Sequence, residues 1–197
     1  KSDHKDPKTI AMLVKDGRYR IPYIPKGKYA ELRKANNIRE EWLEKMLSIK
    51  NKVQRWLDTF FPEFTQVFSS WEGKTALITL EKLGLPEKIA PYTADEIVSI
   101  WREKVKRAVG IKKAEMLLKS ARNSVGIKDG QEMAFYEIRL LLKEYHDVRT
   151  VMDEIETKLG EIVLTIPGVE RLLEIKGIGI KTVAGFLAEV GDISRFD

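Results

Sequence analysis

Apolar residues recur at alternating spacings of three and four along two long stretches of the chain. The first pattern extends from Leu32 to Phe60, where only Arg39 interrupts it, and the second extends from Ala134 to Ile162. Such spacings are typical of heptad seams on helices. They predict two helices of roughly thirty residues, each about 45 Å long. The seam positions are Leu32, Ala35, Arg39, Trp42, Met46, Ile49, Val53, Trp56 and Phe60, then Ala134, Ile138, Leu141, Tyr145, Val148, Met152, Ile155, Leu159 and Ile162.

The simplest fold that buries the apolar residues of both seams is an antiparallel coiled coil with a small helical cluster at one end. Either seam could instead pair with another subunit, so the sequence leaves open which one is intramolecular. Glycines and prolines divide the intervening residues into three predicted helices, near 73–84, 94–109 and 111–125. Thr93-Ala94-Asp95-Glu96 is a capping box at the start of the second. The predicted fold class is all-α, with very little strand.

The two ends of the chain carry their own signals. Residues 1–20 predict a helix, and Ile21-Pro22-Tyr23-Ile24-Pro25 ends it because each proline disfavours α conformation in the residue before it. Near the other end, the segment 172–184 places a Gly-Ile-Gly turn between an apolar helix end and a new helix. This order is typical of a helix-hairpin-helix. The alternative is a glycine turn that merely joins two packed helices.

The amino-acid composition of the chain limits the kinds of site, location and partner that it can have. The chain of 197 residues has no cysteine, which excludes disulfides and thiolate metal sites and favours a reducing, cytoplasmic location. No apolar run is long enough for a membrane helix, and no signal peptide opens the chain, so no membrane partner is expected. The net charge of +5 is compatible with nucleic acid, as it is with an ordinary charged surface.

Two groups of residues are candidates for nucleic-acid binding. A glycine turn lets the backbone approach a phosphate, and the helix that follows offers unpaired N–H groups. A basic run between residues 102 and 122, opposed only by Glu103 and Glu115, could neutralise a phosphate backbone or simply form a solvated helix face. The predicted contacts are Gly177, Gly179, Lys181 and Thr182 in the turn, and Arg102, Lys106, Arg107, Lys112 and Lys113 in the run.

Asp3 and Asp6 are the candidate catalytic and metal-binding residues. Their spacing of three places both carboxylates on one face of a helix, where they could hold Mg²⁺ through hard oxygen ligands. Two-metal phosphoryl-transfer sites are built from such acids. The alternative is that acids in a first helical turn only complement the helix dipole.

The order of these parts resembles a known family. Lys-Ser-Asp-x-x-Asp at the start, Phe-Phe-Pro-Glu-Phe at residues 60–64, and Ile-Lys-Gly-Ile-Gly-Ile-Lys-Thr-Val-Ala-Gly-Phe-Leu-Ala-Glu-Val-Gly-Asp-Ile-Ser-Arg-Phe at residues 175–196 are similar to the DEDD insertion-sequence transposases. These Piv/MooV-like recombinases include members guided by a bridge RNA. The resemblance covers essentially the whole chain, and the two end motifs are specific in combination.

The resemblance implies three domains and a metal. Residues 1–25 would be the C-terminal remnant of a RuvC-like catalytic domain, 26–165 a helical coiled-coil domain for dimerisation and RNA contact, and 166–197 the start of the transposase domain. Asp3 and Asp6 match the last two of four Mg²⁺-binding acids, with Pro7 where the family has Ala. The other two acids would lie upstream and a nucleophilic serine downstream. The chain alone is therefore expected to be inactive and to hold Mg²⁺ weakly.

Three functions are open, of which the first is the one that the resemblance implies. The first is part of a transposase that cleaves and rejoins DNA, with DNA and a guide RNA as partners, a homodimer or higher homo-oligomer as its assembly, and the nucleoid as its location when active. The second is a non-enzymatic helix-hairpin-helix module with a coiled-coil spacer. The third is a coiled-coil scaffold, which would not bind nucleic acid even at low salt.

Overall fold

The computed structural model describes residues 5–19, 22–106 and 110–196, with the backbone alone for residues 5 and 6. All regular secondary structure in this part of the chain is helical, which confirms the all-α prediction. The helices are α1 (Lys5–Lys15), α2 (Lys28–Phe60), α3 (Phe64–Val67), α4 (Lys74–Lys82), α5 (Pro86–Ile89), α6 (Ala94–Arg102), α7 (Ile111–Arg122), α8 (Gln131–Leu164), α9 (Val169–Leu173) and α10 (Ile180–Val190), followed by a 3-10 turn (Ile193–Phe196).

The described residues form two compact units. Unit 1 takes those up to Asn36 and from Leu159 onward, and unit 2 is Asn37–Lys158. Both long helices contribute residues to each unit. The domains predicted from the resemblance, which divide the chain elsewhere, stay a prediction.

The long helices α2 and α8 form because their seams find partners. In unit 2 the indole N–H of Trp56 donates to the carbonyl of Ala134 at 2.9 Å, and Arg39 lies 3.9 Å from Glu156. Since a later residue of α2 meets an earlier residue of α8, the helices run in opposite directions there. All described seam positions are buried or half-buried. The coiled-coil geometry itself stays a prediction.

Unit 2 is built around a row of aromatic rings. Phe61 packs on Phe64 at 5.5 Å between centroids, Phe64 on Phe68 at 4.7 Å, and Phe68 on Trp101 at 6.0 Å. The indole N–H of Trp101 donates to the hydroxyl of Thr79 at 2.8 Å, so this fully buried side chain leaves no polar atom unpaired. Aromatic pairs at these distances add to the stability that burial supplies.

The short helices differ from the predicted ones in places. The capping box is confirmed, because the Thr93 hydroxyl accepts the N–H of Glu96 and the Glu96 carboxylate accepts the N–H of Thr93. The helix predicted over 94–109 ends at Arg102, and residues 107–109 lie outside the described part. The helices α3 and α5 were not predicted. Pro86, read as a break, occupies the first turn of α5, where its missing N–H costs nothing.

Unit 1 packs α9 and α10 together through a small aliphatic core. Val169, Val183 and Leu187 are buried there. Gly191 ends α10 with φ of 75°, and a Cβ atom at this position would lie 2.3 Å from the ring of Tyr23. A glycine is therefore required both by the backbone conformation and by the close approach of the tyrosine.

Candidate nucleic-acid interface

The turn between α9 and α10 is shaped by two glycines. Gly177 has φ of 90°, a value that residues with a side chain rarely adopt, and the N–H of Ile178 donates to the carbonyl of Ile175 at 3.0 Å. Gly179 is the N-cap of α10, and its carbonyl accepts the N–H groups of Thr182 and Val183 at 3.0 and 3.1 Å. No side chain caps this helix. Backbone hydrogen bonds to the Gly179 carbonyl thus form the first turn of α10.

The four predicted contacts of the turn lie together on the surface. Gly177, Gly179, Lys181 and Thr182 are all exposed, whereas the next two residues of α10 are buried. Helix N-termini carry partial positive charge and N–H groups that seek acceptors. This end of α10 therefore has the chemistry of a phosphate site. The helix-hairpin-helix assignment and the contacts stay predictions.

The opposite end of α10 is closed by an arginine that sequence reasoning missed. The guanidinium of Arg33 donates to the carbonyls of Ala188 and Glu189, both at 2.9 Å. A cation at a helix C-terminus satisfies the last carbonyls and complements the dipole. Lys28 fixes the same unit at another point by donating to the carbonyl of Thr165 at 2.7 Å. These residues position the hairpin, and the sequence offers no local signal for pairs so far apart.

The basic run lies on α6, α7 and the segment between them. Arg102, Lys106 and Lys112 are exposed, and Lys113 is half-buried with its ammonium 4.7 Å from the ring centroid of Phe68. Arg107 lies outside the described residues. Since α6 and α7 pack against each other, Arg102 at the end of α6 and the two lysines in the first turn of α7 lie on neighbouring helices of unit 2.

The start of α7 is unusually positive for a helix N-terminus. Gly110 is its N-cap, no side chain caps it, and no acid occupies its first turn. Lys112 and Lys113 stand there instead, although the helix dipole disfavours cations at this end. An anion bound beside them would relieve that repulsion. Other cations of the run have partners, since Lys104 lies 3.6 Å from Glu81 and Arg122 donates to the carbonyl of Ala90.

The side chains of the two predicted metal ligands lie outside the described part of the chain. Asp3 lies outside the described residues, and only the backbone of Asp6, in α1, is described. Among the side chains that the structure describes, no group of three or more histidines or carboxylates comes together as a metal site would require. The Mg²⁺ assignment thus depends on the spacing of Asp3 and Asp6 and on the resemblance.

The comparisons with known proteins point to the same end of the chain. Residues 169–197 match the family model described as Transposase IS116/IS110/IS902 family. The match begins at the first residue of α9 and takes in the glycine turn and α10. It supports a transposase family and, at that level, a role in transposition. A comparison with curated proteins gave no match, and neither did one with solved structures.

A helix that crosses a membrane must be long and apolar. Among the described residues, none of the helices combines the length and the apolar character that a crossing requires. The long helix α8 illustrates the reason, since charged residues recur along its outer face throughout.

Proposed function

We propose that this protein acts in DNA transposition, as part of a recombinase that cleaves and rejoins DNA strands to mobilise an insertion sequence. The observation that carries the proposal is the overlap of the family match with an exposed glycine turn and an uncapped helix start. The described residues would supply nucleic-acid binding, and the long helices α2 and α8 would supply dimerisation. A guide RNA is a further proposed partner.

The turn of unit 1 would bind the phosphate backbone. Gly177 and Gly179 carry no side chains and leave space around the start of α10, since a Cβ atom at either would meet nothing within 4 Å. A phosphate could then reach the backbone N–H groups of the first turn. Lys181 and Thr182 would add an ammonium and a hydroxyl from the same turn. Contacts of this kind position a protein on DNA without reading its sequence.

The basic run of unit 2 would supply a second phosphate contact. Lys112 and Lys113 at the start of α7, with Arg102 and Lys106 nearby, offer charges that the duplex attracts by releasing counterions. Asp3 and Asp6 would hold Mg²⁺ if the resemblance extends to the metal, and that ion would stabilise charge on the reacting phosphate.

Salt titration of duplex binding tests the two phosphate contacts. The variants Lys112→Gln and Lys181→Gln should each weaken binding of the full chain to a duplex, because each removes one cation beside a phosphate. The slope of log affinity against log salt should fall by about 0.9 for each. Fluorescence anisotropy at several salt concentrations measures both quantities. Lys143→Gln, an exposed lysine on the outer face of α8, is the matched control and should leave the slope unchanged.

Two outcomes would contradict the proposal. If the control weakened binding as much as the variants, affinity would arise from general charge rather than from these surfaces. If nothing bound the duplex at low salt, the chain would be a scaffold. A recombination assay of the full-length protein that the resemblance implies tests the metal role, since a wild-type rate in Asp3→Ala and in Asp6→Ala would exclude it.

A further inference from the structure

A stack of three side chains on unit 1 is not used by either phosphate surface. The guanidinium of Arg195 lies 4.0 Å from the ring centroid of Tyr23 and 4.6 Å from that of Phe196. We call these three residues the Arg195 stack. Phe196 is 65% exposed, so a large aromatic surface faces water beside a cation. Burial of this ring within the chain does not account for its position.

The inner side of the Arg195 stack packs closely against unit 1. Tyr23 sits against buried Gly191, where any side chain would collide with the ring. The hydroxyl of Tyr23 also accepts the N–H of Asp192 at 3.5 Å. A rigid aromatic base lowers the entropy that binding must overcome, because the platform exists before a ligand arrives.

Stacking leaves the hydrogen-bonding edge of Arg195 open. A guanidinium that lies over an aromatic ring uses its faces, and its five N–H donors point outward in the plane. Within the described residues no carboxylate pairs with Arg195. The fork of donors matches the oxygens of a phosphate in a bidentate manner. The Arg195 stack therefore presents a base-stacking surface and a phosphate ligand side by side.

A groove of about 600 Å³ continues from the stack. It is lined by Tyr23, Ile24, Lys26, Lys28, Tyr29 and Asp192. Its single acid, Asp192, already accepts the N–H and hydroxyl of Ser194 at 3.0 and 2.9 Å. The two lysines outnumber it, and Lys26 is exposed. The groove thus carries a positive balance next to aromatic rings.

We infer that the Arg195 stack and this groove bind single-stranded DNA. Unpaired bases offer faces that stack on an exposed ring, whereas the bases of a duplex are covered by their neighbours. The phosphates of the same strand would lie along Arg195 and Lys26. The inference rests on the proposed function in transposition, whose strand cleavage exposes single strands, and it concerns residues that the duplex surfaces do not include.

Two substitutions separate stacking from charge. Phe196→Ala should weaken binding of the full chain to a short oligothymidine about tenfold, because one stacked base is lost. The salt dependence should not change, since no charge is removed. Arg195→Gln should lower the salt slope by about 0.7, the contribution of one phosphate contact on a single strand. Anisotropy with labelled oligothymidine, and with a duplex of equal length, measures both effects.

Matched controls come from the same unit. Phe186→Ala removes a phenylalanine of α10 that is 48% exposed and over which no cation of the described residues lies. Arg18→Gln removes an exposed arginine near α1. Neither should change single-strand binding. Circular dichroism of each variant checks that the helices are retained.

The results have distinct meanings. Loss of single-strand affinity in Phe196→Ala, with duplex affinity kept, supports the site. Equal effects of Phe196→Ala and Phe186→Ala would overturn it, as would equal loss for single strand and duplex. Binding of single-stranded RNA but not DNA would also overturn it. Failure here leaves Lys112→Gln and Lys181→Gln as the separate test of duplex binding, so the two proposals can fail independently.

Discussion

The two units of this protein are stabilised by different kinds of contact. Unit 2 is one continuous segment whose core includes the buried aromatic residues Phe61, Phe64 and Trp101. In unit 1 no aromatic side chain among the described residues is fully buried, and the core is aliphatic. Large aromatic side chains bury the most apolar surface each, so unit 2 has the greater hydrophobic contribution to stability.

Unit 1 has a smaller hydrophobic core and is stabilised in addition by polar contacts between segments that are distant in sequence. Arg33 reaches the carbonyls of Ala188 and Glu189, and Lys28 reaches that of Thr165. Each such contact needs both segments to be in place, because neither can form it alone. Because its core is small and its turn is exposed, we expect unit 1 to have a low local stability. Binding surfaces are usually found in regions of this kind. The comparison therefore predicts that core substitutions matter most in unit 2 and polar ones most in unit 1.

The largest expected effect is in the core of unit 2. Trp101→Ala should reduce the free energy of unfolding by about 4 kcal/mol, because it leaves a cavity and removes the partner of the Thr79 hydroxyl. Urea denaturation followed by circular dichroism measures the loss. Trp42→Ala is the control, since Trp42 is only half-buried and should cost much less. Equal losses would mean that the aromatic row does not dominate unit 2.

A smaller effect is expected from the arginine of unit 1. Arg33→Gln should lower the stability of α10 by about 2 kcal/mol, because two charge-assisted hydrogen bonds to its last carbonyls are lost. Amide hydrogen exchange in residues 183–190 should accelerate roughly thirtyfold. Arg18→Gln, which removes an exposed arginine, should leave exchange unchanged. If both variants behaved alike, the contacts of Arg33 would not stabilise the hairpin.

The same comparison explains how much of the fold could be predicted from the sequence. The long helices α2 and α8 were predicted because their seams repeat over many turns, and the helix start at Thr93 because its cap uses neighbouring residues. The four-residue helices α3 and α5 escaped prediction, since one turn carries no periodic signal. Local patterns therefore predicted the long and the capped helices and missed the two single-turn helices, both of which lie in unit 2.

The candidate site was predicted only where its chemistry is local. Gly177 and Gly179 predicted a turn before a helix, and in the structure they lie at the exposed start of α10. Tyr23 and Arg33 gave no signal, because their partners are more than 150 residues away in sequence. Contacts at that separation depend on the packing of whole elements, which spacing along a chain does not encode.

The smallest expected effect concerns a polar network inside unit 2. The buried Tyr145 donates to the carboxylate of Glu72 at 2.8 Å, and Lys50 lies 2.8 Å from the same oxygen. Tyr145→Phe should cost about 1 kcal/mol near neutral pH, because the packing is kept and one hydrogen bond is lost. Tyr136→Phe is the control, since Tyr136 is an exposed tyrosine of the same helix.

The loss of unfolding free energy in Tyr145→Phe should depend on pH. Burial and the bond to Glu72 raise the pKa of Tyr145 from 10.0 to about 12. Burial also acts to raise the pKa of Glu72, but its bonds to Lys50 and Tyr145 outweigh this and lower it below 4.5. The contribution of Tyr145 to stability is therefore complete below pH 10 and is lost as the pH rises towards 12. The contribution of Glu72 is complete above its ordinary pKa and is lost as the pH falls through its lowered pKa. The difference in unfolding free energy between wild type and Tyr145→Phe should be greatest between these limits and shrink on both sides. A constant difference from acid to alkaline pH would contradict this account, because it would show that neither ionisation changes what the Tyr145 hydroxyl contributes to the stability of unit 2.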